Sequence, residues 1–517
     1  MKLLKIIRVE ILLPQLAVTY PLLHLYASNF GEVGITSVIK PFAIIALFVF
    51  LSYKFLQIFI KDKLKISLIM TLLITVGLSF GYMADLVPYF ELFKIKSFVL
   101  GKNKLLFLII FFASSIILWK ILKIKKVSIL ILNYLAMLII LAIILTLIKI
   151  PLYYSNVKFL QNDSVNNLNN DFNPANSDTR PDIYYILLDG HARKDVLEEI
   201  YGYDNNYLTL YLKSKNFYVA EESRSNYIYT YASLASSLNN NYLENLIGSF
   251  GKKEIDISVF DELIKNNLVS QNLKKLGYVY YTFRSGFASF NNNPYAANHF
   301  EYSFGLNNYE RNLVNKSIFG FLLNLANIDI KELHRKRVLF TFETLKEISN
   351  DSQPTFTFAH IISPHPPFVF NRDGSSASKG KEYNFVDGAR FSGTKEEYKA
   401  GYLNQLIYID KKLAETLEAI LKNSDQEPII IIQGDHGPAY EADWSNKDNK
   451  VTTEELIDVD NPLSIKERTS ILNAYYFPQK DYSNLYQTIT PVNSFRMIFN
   501  TYFGQSFEIL EDKTILN

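Results

Sequence analysis

The chain has 517 residues, more than one ordinary domain holds, so two or more folding units are expected. Hydrophobic residues make up 49% and charged residues 20%, which excludes a disordered chain, and a net charge of +2 gives no basic face for nucleic acid. With 0 cysteines, disulfides, cysteine zinc sites, iron–sulfur clusters and cysteine nucleophiles are all ruled out.

From the N-terminus to about residue 150, apolar runs alternate with short lysine clusters. About five runs are long enough to cross a hydrocarbon core of ~30 Å, which takes roughly 20 helical residues. They lie near 8–28, 37–60, 66–88, 104–122 and 127–149. Lys2, Lys5 and Arg8 precede the first, Lys61, Lys63 and Lys65 follow the second, and Lys120, Lys123, Lys125 and Lys126 separate the fourth and fifth. With five spans these share one side, and the positive-inside rule makes it cytoplasmic. Lys94, Lys96, Lys102 and Lys104 oppose that balance. The expected protein is multi-pass in the cytoplasmic membrane, with its C-terminal part outside. The spans hold few charges, with Lys40 and Lys54 near predicted ends, which argues for an anchor over a transport pathway.

Residues 1–151 are therefore expected to form a transmembrane anchor. Residues 152–180, crowded with Asn, Asp and Ser, read as a flexible linker, and 181–517 as a catalytic domain outside the membrane. From Pro181 the pattern alternates strand and helix. Strands are expected at 183–188, 278–283, 355–362 and 429–432, and helices at 195–201, 257–275 and 398–423. The fold class is α/β, a mainly parallel sheet sandwiched by helices and preceded by about five transmembrane helices.

Sites in such sheets lie beyond the carboxyl ends of the strands. The polar residues there are Asp189, Arg284-Ser285, Ser363-Pro364-His365-Pro366-Pro367 and Gly434-Asp435-His436-Gly437-Pro438. Carboxylates and imidazoles converging at one sheet edge suit a divalent cation. The glycines flanking Asp435-His436 let the backbone turn off the strand, so that both side chains can reach one point.

Residues 183–190, 363–367 and 434–438, in that order behind the membrane spans, resemble the alkaline-phosphatase superfamily. The branch they resemble is that of the sulfatase-like membrane proteins, which include lipoteichoic acid synthases and phosphoethanolamine transferases. The resemblance implies that Asp189, Asp435 and His436 bind a metal and that the fourth ligand is a nucleophilic hydroxyl at a helix start. That hydroxyl is Thr230, ahead of a helix at 232–238, or Ser225 by the spacing usual in the superfamily; Tyr227 and Ser233 are further hydroxyls nearby. It also implies that His365 contacts the transferred group, while His360 is buried structure. Arg193 and Arg284 are candidate phosphate contacts. One divalent ion is expected, zinc or manganese, because the donors mix oxygen and nitrogen. True sulfatases need a Cys/Ser-x-Pro-x-Arg pattern, which this chain lacks, so sulfate-ester hydrolysis is not expected.

The implied function is transfer of a phospho-group, such as phosphoethanolamine or phosphoglycerol, to an envelope glycan or lipid. The alternatives are a phosphodiesterase, phosphatase or sulfatase-like hydrolase using water, and a catalytically inactive envelope-assembly protein. The expected partners are the membrane and a glycan or phospholipid substrate, with no nucleic acid.

Overall fold

The structure, a computed structural model, describes residues 8–28, 36–87, 91–95, 98–164, 172, 180–247, 257–286, 293, 295–302, 308–325, 330–348, 353–377, 387–391, 393–444 and 456–516. In chain order the elements begin with α1 (Val9–Ser28), α2 (Thr36–Phe59), α3 (Lys63–Asp85), β1 (Glu91–Ile95), β2 (Phe98–Gly101), α4 (Lys102–Lys123) and α5 (Ile129–Ser164). Next come β3 (Ile183–Leu188), α6 (Lys194–Glu199), α7 (Asn206–Ser214), β4 (Tyr218–Val219), α8 (Thr230–Ser237), α9 (Leu243–Leu246), α10 (Ile257–Lys265), α11 (Leu268–Lys275), β5 (Val279–Phe283) and β6 (Asn298–Phe300). The chain ends with α12 (Asn308–Lys316), α13 (Ile318–Leu325), α14 (Ile330–Leu345), β7 (Thr355–Ile361), α15 (Lys395–Asn423), β8 (Ile429–Gln433), α16 (Pro462–Thr469), β9 (Asn473–Tyr476) and α17 (Pro491–Tyr502).

Two compact units emerge: Met1–Asn156 with Ser303–Asp329, and Val157–Tyr302 with Ile330–Asn517. The division differs from the expected one in two ways. Residues 303–329, expected in the catalytic domain, group with the membrane helices. The stretch expected as a linker starts as helix, because α5 continues through Pro151 to Ser164. Between that helix and Arg180, only Phe172 lies within the described residues.

In the first unit, residues 38–59, 63–85, 102–123 and 129–151 are helices long and apolar enough to cross a membrane. The chain is thus a membrane-associated protein. Of the five apolar runs in the sequence, the first, α1, is not among these four. It carries Pro14 and Pro21, and Gln15, Thr19 and His24 interrupt its apolar surface. It packs among its neighbours, with Leu13, Val18 and Leu22 fully buried. The helices alternate in direction. Leu13 near the start of α1 packs with Val127, Leu132 and Ala136 around the start of α5, next to Leu64 and Leu68 at the start of α3. Lys65 at the start of α3 donates to the carbonyl of Leu122 at the end of α4. So α1, α3 and α5 run one way and α4 the other.

The second unit is built on a seven-stranded sheet of order β4-β9-β8-β3-β7-β5-β6. β8, β3, β7, β5 and β6 are parallel, and β9 is antiparallel to both β8 and β4. β3 is buried along its whole length. Its side chains alternate between two cores: Ile183, Tyr185 and Leu187 face one, Tyr184, Ile186 and Leu188 the other. The four isoleucines of β8 divide the same way, 429 and 431 against 430 and 432. Apolar side chains on both faces are what a strand covered by helices on both sides requires. α8, α11 and α17 supply residues to the first core, and α14 and α15 to the second. The sheet is thus the mainly parallel, helix-covered one that the alternating pattern predicts.

α15 begins at Lys395, three residues before the expected start at 398, because Thr394 and Glu397 form a reciprocal capping box.

Candidate metal centre

β3 lies between β7 and β8, with Leu188 paired to Ile361 and Leu187 to Gln433. Carried on by two residues, that register sets Asp189 level with Asp435 just past the sheet. Backbone bonds stitch the loops together there: the Asp189 amide donates to the Ile361 carbonyl (3.0 Å), and the His365 amide to the Asp189 carbonyl (2.9 Å). The Gly190 amide donates to Asp435 Oδ1 at 3.0 Å.

The result is a buried group of Asp189, Asp435 and His436 whose ligand atoms lie within 4.8 Å of one another. His436 Nε2 is 3.7 Å from Asp189 Oδ1 and 3.4 Å from Asp435 Oδ2. Among the described residues, both of those buried carboxylate oxygens lack a hydrogen-bond partner. An orphaned buried carboxylate oxygen is costly, and two of them facing one imidazole nitrogen fit a cation. His436 Nδ1 lies 2.9 Å from the Gly437 carbonyl, so Nδ1 carries the hydrogen and Nε2 presents its lone pair. Burial, joined by the nearby Arg468 charge, pushes the His436 imidazole below its ordinary pKa, which keeps it neutral. These three residues could hold one divalent ion.

Thr230 adjoins the group. It is the first residue of α8, and its hydroxyl lies 3.1 Å from His436 Nε2. The cap of α8 is the preceding residue, Tyr229, which makes no side-chain cap bond. The Thr230 hydroxyl is therefore committed to the Asp–Asp–His group and not to its own helix. The other hydroxyls of this segment are engaged elsewhere or turned away. The Tyr227 hydroxyl donates to Glu244, and that of Ser233 to the Tyr227 carbonyl. Ser225 is fully buried and held by its backbone to Thr469 and Thr514, and among the described residues its hydroxyl bonds to nothing.

His360 sits on β7 with Nε2 3.1 Å from Asp189 Oδ2 and Nδ1 3.3 Å from the Ser285 hydroxyl. It braces the oxygen of Asp189 that faces away from His436. Burial alone would raise the Asp189 pKa. His365, His360 and His436 outweigh that effect and hold the carboxyl well below the usual range.

His365 Nδ1 lies 2.6 Å from the Pro366 carbonyl, and its ring centroid is 6.0 Å from that of His436. Nε2 is 3.7 Å from Asp387 Oδ2. Burial works against the charged ring, but the Asp189 and Asp387 carboxylates raise its pKa above the ordinary value. His365 is thus poised to carry a proton next to the Asp–Asp–His group.

Arg193 and Arg284, suggested by the sequence as phosphate contacts, are each paired with a carboxylate. Arg193 forks onto Asp195 (2.7 and 3.0 Å), and Arg284 meets Glu301 at 2.6 Å.

Two buried residues that the sequence does not single out join the site. Arg468 donates to Asp387 Oδ2 (2.6 Å), to the Ile228 carbonyl (3.0 Å) and to the Gly437 carbonyl (2.9 Å). It ties together the segment leading to Thr230, the turn after His436 and the partner of His365. Asp387 also accepts from the Tyr398 hydroxyl at 2.6 Å. Lys466, Glu467 and Arg468 follow one another on α16. Only Lys466 is outside, on Asp195 and Glu199, while Glu467 and Arg468 are buried.

Gly434 and Gly437 serve close approach more than an unusual turn. A Cβ on Gly434 would lie 2.6 Å from the His191 carbonyl oxygen, and one on Gly437 would collide with the Glu467 carbonyl.

The sulfatase family model matches residues 181–495. No curated protein sequence matches the chain. Among solved structures, the chain is similar to the C-terminal periplasmic domain of EptC from Escherichia coli in complex with zinc, at 10% identity and TM-score 0.41, over 64% of this chain and 85% of that one. It is also similar to the integral membrane lipooligosaccharide phosphoethanolamine transferase A from Neisseria meningitidis, at 12% identity and TM-score 0.37, over 95% of each chain. A third similar structure is a 2-O GAG sulfatase, at 14% identity and TM-score 0.40, over 65% and 73%. Since the family model spans more than half of the chain and both ends of the Asp–Asp–His group, this membrane-associated chain belongs to the sulfatase family of enzymes, within the alkaline-phosphatase superfamily.

Proposed function

We propose that this protein is a membrane-anchored, metal-dependent transferase that moves a phospho-group, such as phosphoethanolamine or phosphoglycerol, onto an envelope glycan or lipid. The observation that carries this reading is the Thr230 hydroxyl, 3.1 Å from His436 Nε2 at the start of α8. Threonine bears a methyl group on Cβ, so it cannot become the formylglycine aldehyde of true sulfatases. A hydroxyl there serves as a nucleophile toward phosphorus.

Asp189, Asp435, His436 and Thr230 would hold one divalent ion, and their mixed oxygen and nitrogen donors favour zinc or manganese. Such an ion lowers the cost of ionising a hydroxyl and offsets charge on phosphoryl oxygens. Thr230, its hydroxyl proton first lost to solvent, forms an Oγ–phosphorus bond as the bond to the leaving alkoxide breaks, and it leaves again as an alkoxide in the second step. His365 gives the substrate's leaving alkoxide its proton from Nε2. The first-turn amides of α8, which have no intrahelical acceptor, face the incoming charge at the positive end of the helix dipole. An acceptor hydroxyl then displaces Thr230 and returns a proton to His365. Asp387 holds the His365 ring in place. Water as the acceptor gives the hydrolase reading.

The test is to mix the purified protein and its metal with a phosphoethanolamine- or phosphoglycerol-bearing lipid, quench, digest and weigh the peptides. The reading expects the added phospho-group on the peptide containing Thr230, discharged by a glycan acceptor. An unmodified Thr230 peptide during verified turnover would overturn it.

The same reading puts the second unit outside the cytoplasmic membrane, with α1 as a fifth span. A reporter fused after Ser155 is expected to behave as external, and one fused after Lys126 as cytoplasmic. The reverse pattern, or the same side for both, would remove the envelope function.

A further inference from the structure

Residues 303–329 lie within the stretch matched by the sulfatase family model, yet they belong to the membrane unit. α12 is fixed among the membrane helices. Tyr309 and Leu313 are buried with residues of α1, α2 and α3, and the Tyr309 hydroxyl donates to the Leu22 carbonyl at 2.8 Å. Glu310 pairs with Lys40 at 3.1 Å, and Lys316 with Asp85 at 2.5 Å. Gly81 allows the close approach: a Cβ there would lie 2.6 Å from Lys316 Cα. The partners Leu22, Lys40, Gly81 and Asp85 lie in the last turns of α1 and α3 and the first turns of α2. That is the bundle end opposite the one where α5 begins.

α13 follows at the same end. Phe321 stacks on Phe107 of α4 (4.9 Å between centroids) and meets Phe80 of α3 (5.2 Å). The residues around it point away. Phe319, Leu322 and Leu325, three residues apart along one helix face, are 60%, 41% and 53% exposed. Large apolar side chains grouped in this way are costly in water. Phe107 stacks in turn on Phe111 of α4 (6.1 Å between centroids), and Leu108, Phe111 and Phe112 are 41%, 54% and 61% exposed on a helix of membrane-spanning length and apolarity. The Lys316–Asp85 pair just before α13 marks where charged groups become tolerable.

We propose that α13 is a membrane-inserting helix carried within the sulfatase domain sequence, its Phe319–Leu322–Leu325 face buried in phospholipid acyl chains at the bilayer boundary. The aromatic stack continues the lipid-facing surface of α4 onto α13, and the charged pair fixes its depth near the headgroups. The chain passes between the two units three times: after α5, before α12 and after α13.

The chain has 0 cysteines, so single cysteines can be introduced at Phe319, Leu322 and Leu325 and labelled with an environment-sensitive fluorophore. The full-length protein is placed in phosphatidylcholine vesicles with plain or brominated acyl chains. Phe112→Cys on α4 and Tyr207→Cys on α7 serve as lipid and water references. The proposal expects all three labels to behave as at Phe112: blue-shifted emission, lost intensity in brominated vesicles and little response to aqueous iodide. Quenching by iodide, as at Tyr207, would overturn it. So would insensitivity to both quenchers, which would mean that protein covers the face. Three separate positions keep the result readable if one substitution disturbs folding.

Discussion

Thr230→Ala is expected to abolish turnover of a phosphodiester substrate, by roughly 10³-fold or more, as removal of a nucleophile does. The fold should survive. Thr230 does not cap its helix, and the change removes one hydrogen bond, worth about 0.5–1.5 kcal/mol. Thr230→Ser keeps the attacking oxygen and should retain part of the activity. Ser225→Ala should change little, because its hydroxyl makes no bond to the Asp–Asp–His group. Turnover of each variant, with melting temperature as the folding check, decides the matter. An inactive Ser225→Ala beside an active Thr230→Ala would move the nucleophile five residues upstream. If neither substitution affects a verified activity, the two-step mechanism fails and attack by water is the better account.

Asp435→Asn and His436→Ala should each lose bound metal and activity together. Each removes one of about four ligands, and metal affinity and turnover rest on the same atoms. In Asp435→Asn the orphaned Oδ2 position either stays a neutral oxygen or becomes an NH₂ with no acceptor role, so a charge is lost in both orientations. His360→Ala is the graded case. It leaves every ligand in place but frees Asp189 Oδ2, and the loss of such a bracing partner costs about 10–100-fold in metal affinity or activity. Metal content by elemental analysis alongside turnover separates the cases. Full metal occupancy in both Asp435→Asn and His436→Ala would sink the metal site.

The largest parts of this protein are written in local sequence. Apolar runs of span length announce the membrane helices, since a helix in lipid must be apolar along about 20 residues. The all-apolar 183–188 and 429–432 announce buried strands, and polar residues directly after them announce the site. This reading works because a strand covered on both faces is a near-continuous apolar run, so a cluster of polar residues directly after it marks the edge of the sheet. The glycines beside Asp435 and His436 were legible as punctuation, but their reason was not. They are required by the carbonyls of His191 and Glu467, which are distant in sequence.

Other features depended on contacts that local patterns do not encode. Arg468 and Asp387 resemble ordinary surface charges, and burial becomes tolerable only when one meets the other across 81 residues. His360 sits in a strand as any buried histidine might, until β3 sets Asp189 beside it. Helix-start spacing left Thr230 and Ser225 both open. The fold separates them by directing one hydroxyl to His436 and enclosing the other between Thr469 and Thr514. The return of residues 303–329 to the membrane helices is the clearest case. α13 is too short to span a bilayer, so no hydropathy window marks it, and only the packing of Phe321 against Phe80 and Phe107 groups it with the membrane helices.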